Sequence, residues 1–492
     1  MTSPTFRRVA LPASVLLLLA LVYVVAWETG SAGPSAAAGA VSPQTVPVTA
    51  VTRDCPPPGP GTGQGHVAML AVPPRTAAKA AGTAPGATTV TAVPSANSSA
   101  KASAGTVTGP ANPNALTLLS PPQAAQFAAT EVTATGQLAQ GFAAEQAASD
   151  GTGAVTCTHP GSDVWFVGTG TSAGGSTSWL YLMNSGTMAA SVEVTVLTDS
   201  GDQSGQDNEL TVAPHRYLGV NLASLAQGST VLTVHVQTSS GQVAADMWQA
   251  GGSGGTWLPA TASPSTQLVI PGLTAASGAA KLLVAVPGGQ DAEMKVTALT
   301  AQGKTLPLGT TLTDAPAAAS SAFPLSSLGA SAAALVISSS EPVAAGVQVP
   351  GNGIGGFTAA EAPLAGQGVV TGNPSGGGNT VGLVLSAPGA GGRAAVTVIP
   401  SSNPERAVPS PQQTLTVQSG HTVQAVVSPP KGSKGPFSIV VTPLPGSGPL
   451  YAARLVMSGG LSGTLKSLLP VPNVLSQVQL PSASAGYSAV LP

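Results

Sequence analysis

Ser229–Gly241 reads STVLTVHVQTSSG, and its alternation decides the fold class. In an extended chain Val231, Thr233, His235 and Gln237 project to one side, and Leu232, Val234 and Val236 to the other. Valine and threonine at this density, closed by Ser-Ser-Gly, predict a β-strand with an apolar face. The same signature surrounds it. SVEVTVLTDSG (Ser191–Gly201), LTVAP (Leu210–Pro214) and YLGVNLASL (Tyr217–Leu225) predict further strands, about 8–14 residues apart and divided by Gly, Asp, Asn or Pro.

Working outward, this block recurs. Apolar opening strands stand at HVAMLAVP (from His66), WLYLMNSG (Trp179), KLLVAVPG (Lys281) and TVGLVLSAPG (Thr380). Closures with a bulky residue and Ala-Ala follow, in GFAAEQ, GQVAADMW, EPVAAGVQV and PLYAARLVM. The pairs begin at Ala143, Ala244, Ala344 and Ala452, a period of roughly one hundred residues. Six or seven strands in about that length is the rhythm of a β-sandwich of the immunoglobulin or fibronectin kind. The expected fold is therefore all-β, with tandem sandwich repeats. The competing architecture is a β-propeller-like ring in which each repeat supplies two blades.

Composition agrees. Over 492 residues only 7% are charged and 3% aromatic, while Gly (61) and Pro (45) are abundant. Exposed helix faces need Glu, Lys and Arg, so the composition argues against a long-helix protein. A formal charge of −2 without a basic run argues against nucleic acid as a partner.

Residues 1–8, with Arg7 and Arg8, read as a cytoplasmic n-region, and the uncharged run 9–27 as a transmembrane helix. This places the body outside the cytoplasm in a single-pass orientation. The alternative is a cleaved signal sequence and a secreted chain. Residues 28–44 read as a flexible spacer. The repeats are expected at 45–150, 151–262, 263–362 and 363–460, with a low-complexity insertion at 75–113 and a C-terminal extension at 461–492.

Cys55 and Cys157 are the two cysteines; an exported pair reads as one disulfide, against two buried thiols. Cys55-Pro-Pro-Pro-Gly and Cys157-Thr-His-Pro-Gly look like equivalent positions of the first two repeats. A bridge needs Cα atoms within ~7 Å, so it would favour a rigid cluster or ring over beads on a string.

CTHPGSDVWFVGTG (Cys157–Gly170), TWLPATASPSTQLVIPGL (Thr256–Leu273), SSSEPVAAGVQV (Ser338–Val349) and ATGQLAQGFAAEQ (Ala134–Gln146) carry a family resemblance. With the N-terminal hydrophobic run and the Cys-Pro at Cys55, the chain resembles an actinobacterial family of secreted or membrane-anchored proteins of unknown function, DUF family 5719. The resemblance implies an envelope location and a β-rich body, and transfers no catalytic residue.

Candidate chemistry is sparse. Gly170-Thr-Ser172-Ala-Gly174 fits G-x-S-x-G, but a nucleophile elbow needs a following helix, and Gly175–Ser178 leads into a strand instead. Gly351–Gly356 fits G-x-G-x-x-G without a strand–turn–helix context or a distal acid. His66, His159, His215, His235 and His421 are scattered singly, so no zinc site is expected. Asp199, Asp202, Asp207 and Glu209 cluster, yet lack the spacing of a calcium loop and read as a solvated hairpin tip. No nucleotide or other cofactor is expected.

The aromatics are more suggestive. Alternation puts Trp179, Tyr181 and Met183 on one strand face and Leu180 and Leu182 on the other. An exposed Trp179/Tyr181 pair would form a glycan platform; the plainer reading buries both rings in a core.

The expected function is a non-enzymatic, membrane-anchored binding or scaffold component of the cell envelope, taking a protein or polysaccharide. The alternative is an envelope enzyme acting on glycans, its site assembled from residues distant in sequence. Two criteria separate them: a cleft joining buried carboxylates favours the enzyme, and an exposed aromatic face without them favours binding.

Overall fold

The computed structural model describes residues 45–60, 66–73, 86–98, 107–108, 113–114, 116–119, 128–147, 152–171, 176–203, 209–251, 254–274, 280–326, 328, 332–351, 355–401, 413–429, 433 and 435–479. The hydrophobic run 9–27 and the spacer 28–44 lie outside them. Among the described residues no helix is long and apolar enough to cross a membrane. Those residues are all-β, with short 3-10 turns such as Gly136–Ala139 and Leu222–Ser224 between strands.

Two compact units are present. One joins Thr45–Pro47 to Gln477–Gln479 as an antiparallel pair. The other, Val48–Ser476, carries four successive modules built on a common eight-strand order, with one further short strand in the second and in the fourth.

In chain order, the first, sixth, third and fourth strands of a module pair as one sheet, here called leading. The fifth, second, seventh and eighth pair as another, called trailing. In the first module the leading sheet runs Ala50–Cys55, Ala129–Thr135, Thr88–Val93, Val107–Thr108, and the trailing sheet Thr117–Leu119, His66–Ala71, Phe142–Ala147, Val155–Thr156. The second repeats this with Asp163–Thr169, Val231–Ser240 and Ala190–Thr198 leading, and Arg216–Asn221, Thr177–Asn184, Ala244–Gly251 and Gly254–Leu258 trailing. In the third, one long strand, Ala333–Val349, serves as both sixth and seventh and joins the two sheets. The fourth pairs Gln367–Asn373, Phe437–Pro443, Gly392–Pro400 and Gln413–Val417 against a trailing sheet of His421–Val427, Asn379–Ala387, Tyr451–Ser458 and Thr464–Pro470.

This order relocates three expected boundaries. Val155–Thr156 pairs with Phe142–Ala147, so the first module runs past residue 150. Thr464–Pro470 is the last strand of the fourth module, so the segment from 461 begins inside a sheet rather than as an extension. Thr88–Val93 lies between two strands, so 75–113 contributes a central strand and not merely an insertion.

Each leading and trailing sheet shares a buried cluster: Val90, Val132 and Ala134 with Val67, Met69, Phe142 and Ala144 in the first module, and Val194, Val196 and Val234 with Leu180, Leu182 and Met247 in the second. The outer faces are covered as well. Ala143 of the first trailing sheet packs with Val369, Ile399 and Val440 of the fourth leading sheet. Met183 and Ala244 pack with Val93 and Ala129 of the first module. Leu283, Ala285 and Ala344 of the third join the cluster of the second, and the Ser320 hydroxyl bonds Leu197 O (3.1 Å) and Thr233 Oγ1 (2.9 Å) there. Val384, Ala453 and Leu455 of the fourth join that of the third. Every trailing sheet thus backs onto the preceding leading sheet, and the first backs onto the fourth. The series closes.

The Ala-Ala pairs explain how the sheets approach so closely. Ala144, Ala245 and Ala345 face their own cores, while Ala143, Ala244 and Ala344 face a neighbour. The fourth pair is displaced by one residue. Val471 N–H donates to Ala452 O (2.9 Å) as Cys157 N–H does to Ala144 O (2.9 Å), so Ala452 corresponds to the second alanine elsewhere. Since faces alternate with period two, that slip turns the charged residue after the pair from the neighbour's side to the module's own.

Candidate functional site

After its eighth strand each module's chain turns back to its own first strand. Thr158 bridges Asp54, Thr261 bridges Trp165, Glu361 N–H donates to Val269 O (3.0 Å), and Val369 N–H donates to Pro472 O (3.2 Å). These four returns enclose a cavity of about 370 Å³, to which all four modules contribute. Phe142, Trp257, Leu258, Leu469 and Val474 form its apolar wall, and Arg53, His159, Asp246 and Glu361 its ionisable part.

Cys55 and Cys157 form a disulfide at the first of these returns. Cys157 leaves the last strand of the first module and bonds back to that module's first strand, both cysteines lying in its core. They are therefore the two ends of one module rather than equivalent points of two.

The acids are strongly perturbed. Asp54 and Asp246 are 1% and 3% exposed, on the facing first and second modules. Asp54 accepts from the Ser185 hydroxyl (2.9 Å) at Oδ2, while its Oδ1 and Asp246 Oδ2 are buried without a hydrogen-bond partner. Burial pushes Asp54 up to about 7; the Ser185 bond and Arg53 oppose this, and Glu131 adds to it. Asp246 is raised well above the carboxylate range, by burial first and then by the charge of Asp54, against the Thr158 hydroxyl. Glu361, partly exposed at the wall, is raised to about 8 by burial. Desolvation lowers the Arg53 guanidinium, and desolvation with the Arg53 charge lowers His159.

A second buried charge group lies where the first module meets the fourth. Arg454 Nη2 pairs with Glu145 Oε1, Nη1 bonds Ser467 Oγ (3.2 Å), and Glu145 Oε2 accepts from Thr371 N–H (3.0 Å). Burial raises Glu145 to about 7, with Arg454 and the Thr371 amide opposing.

Trp179 and Tyr181 share the strand face expected from alternation. Tyr181 is only 7% exposed and Trp179 half-buried, because Tyr217, Trp248 and Trp257 cover that face. Trp179 meets Tyr181 at 6.5 Å, Tyr181 meets Trp257 at 5.6 Å, and Trp257 meets Trp248 edge-on at 5.1 Å. The pair thus belongs to an aromatic cluster that reaches the cavity wall at Trp257.

The remaining sequence candidates do not converge on the cavity. Ser172, Asp207 and residues 352–354 of the glycine-rich motif lie outside the described residues; Gly356–Ala359, beginning at the motif's last glycine, is a strand. Asp199 accepts from Thr230 N–H (3.1 Å). His235 stacks on Trp165 at 3.9 Å and meets Asp163 at 3.2 Å, and His215 lies 3.9 Å from Glu131. Among the described residues no three His, Cys, Asp or Glu are grouped to hold a metal.

Sequence reasoning passed over Arg53, Asp54, Asp246, Glu361 and the Glu145–Arg454 pair. A signal existed: Glu145 and Asp246 each follow Ala-Ala as the one charged residue of a buried strand, where a charge is costly unless it has a purpose or a partner.

Compared with known proteins, residues 119–429 match the family of unknown function DUF5719, from the first module's fifth strand to just past the fourth's. No curated protein matches the chain. Among solved structures, the native conformation of E. coli alpha-2-macroglobulin is 10% identical over 89% of this chain and 30% of its own length, at a TM-score of 0.12, too slight a likeness to bear on the fold.

Proposed function

The chain belongs to the DUF5719 family, a family of unknown function, and we propose that it is a membrane-anchored, extracytoplasmic binding scaffold whose ligand occupies the cavity shared by the four modules. In this reading each leading and trailing sheet form an immunoglobulin- or fibronectin-like sandwich, and the sandwiches close into a ring held outside the membrane by residues 9–27. One observation carries it: all four modules contribute lining to the cavity, largely through their end segments, so it exists only once the modules have met. A largely apolar concavity with a few polar groups is the usual form of a ligand site. The partner class is an envelope polysaccharide or protein.

The buried carboxylates favour the enzyme alternative by the criterion set above, and it stays as a second reading. Binding accounts for them better. A glycan hydrolase needs one carboxyl protonated and its partner ionised. Here the acids stand beside a wall that is mainly apolar, Phe142, Trp257, Leu258, Leu469 and Val474, which suits holding a ligand's body.

The test is retention of purified cell-wall polysaccharide by the full chain, beside Ala362→Trp, which fills the cavity from an exposed wall position. Saturable retention lost in the variant supports the scaffold. Retention equal in both removes the cavity from the reading. Release of reducing ends by the wild type, abolished in Asp246→Asn, would replace it with the enzyme.

A further inference from the structure

We propose that the part of the envelope ligand seated in the cavity is an organic cation, an amine carried on an apolar body, with Asp246 and Glu361 as its counter-charges; this rests on the cavity being a binding site. Three observations converge. First, the charges around the space do not balance. Asp54, Asp246 and Glu361 face it or back onto it with Arg53 as the cation among them, while His159 stands exposed at the rim, Thr158 and Ser185 supply hydroxyls, and Glu131 pairs away toward His215. With the acids ionised, the formal excess is negative.

Second, Asp246 is buried yet keeps an oxygen without a partner, and it is a wall residue. An unpaired buried carboxylate is expensive, and a charged donor is the partner that removes the penalty. Third, the other wall is Trp257, Phe142, Leu258 and Leu469, apolar surface for the ligand's body. A metal ion fits less well, since no three ligating side chains are grouped among the described residues. At about 370 Å³ the space suits a single ring or short chain.

Binding a cation favours the ionised carboxylates, so each acid that is protonated in the empty cavity releases its proton to solvent. Affinity therefore rises with pH through the range in which Glu361 titrates, near 8.

The test is calorimetric titration of the full chain with benzylamine and with benzyl alcohol, its neutral near-isostere, at pH 6 and 8.5. Benzylamine is expected to bind saturably and roughly tenfold or more tighter than the alcohol, as a charged hydrogen bond contributes. Its binding should tighten at the higher pH with proton release, seen as a heat that depends on the buffer's ionisation enthalpy. Glu361→Gln, at a partly exposed position, should lower the amine's affinity by about the same factor and leave the alcohol's unchanged. Equal affinities for amine and alcohol, or an unchanged amine affinity in Glu361→Gln, overturn the cation assignment. Loss of polysaccharide retention in Ala362→Trp would in that case still stand for the cavity. Unchanged retention in Ala362→Trp fails the cavity itself, whatever the amines do.

Discussion

Glu145 and Asp246 occupy the same place in their modules, one residue after the inward alanine, and differ in what meets them. Glu145 finds Arg454 and the Thr371 amide; Asp246 finds another acid. Truncating one member of a buried pair leaves an uncompensated charge, so Glu145→Ala should lower unfolding stability by ~3–5 kcal/mol, whereas Glu145→Leu with Arg454→Met should recover most of that. Urea midpoints of the two variants check it. The pH response follows from the same burial. Asp54 and Glu145 are raised to about 7 and Glu361 to about 8, so above the ordinary carboxylate range the folded chain holds protons that the unfolded chain has released. Stability therefore falls as pH rises through that window. Burial lowers His66, His159 and His235, which gives the opposite slope, but only up to their unfolded value of about 6.5. Between about pH 6.5 and 8.5 the acids act alone, and the melting temperature should drop, less so in Asp246→Asn. Melting curves that are flat or rising across that interval would contradict the burial of these groups.

At the scale of elements, the return of each module's end to its first strand is the recurring device, and the disulfide secures one of four. Cys55 and Cys157 are 102 residues apart, a long loop to close. By the loop-entropy argument the bridge stabilises by up to ~4–5 kcal/mol. Reduction, or Cys55→Ser with Cys157→Ser, should shift the denaturation midpoint accordingly without changing the strand content seen by circular dichroism. The other three returns are held by backbone hydrogen bonds, Thr261 N–H to Trp165 O (2.8 Å), Glu361 N–H to Val269 O (3.0 Å) and Val369 N–H to Pro472 O (3.2 Å). The strand Ser265–Leu273 shows how tight the packing is. Gly272 adopts φ +94° in a bulge, and a Cβ there would lie 2.6 Å from Cβ of Ala453 in the next module.

Across the body Val48–Ser476, outer sheet faces are buried by neighbouring modules. Modules strung in a line would unfold independently, each with its own core. Here Ala143, Ala244, Ala344 and Ala453 all lie against another module. The body is expected to melt in one transition, with a calorimetric-to-van't Hoff enthalpy ratio near one. Resolved transitions, or a stable fragment lacking everything from Gln367, would contradict the closed arrangement. The cavity belongs to this scale alone: it exists where four module ends meet.

Much of the fold was legible in the residues. STVLTVHVQ alternates, and Val234 and Val236 are inward as that alternation requires; WLYLMN puts Leu180 and Leu182 in the core and Tyr181 opposite. Local chemistry and period-two sterics determine a strand and its faces, and repetition of the Ala-Ala closures determines how many modules there are. They do not say what covers a second face. Tyr181 was legible as outward from its core, yet whether it met water or Trp257 depended on a neighbouring strand. The one-residue slip at Ala452, the meeting of Glu145 with Arg454 from over 300 residues away, and the convergence of Asp54, Asp246 and Glu361 were decided only by closure of the modules on one another. Such contacts depend on the positions of whole sheets, and no short stretch of chain contains that information.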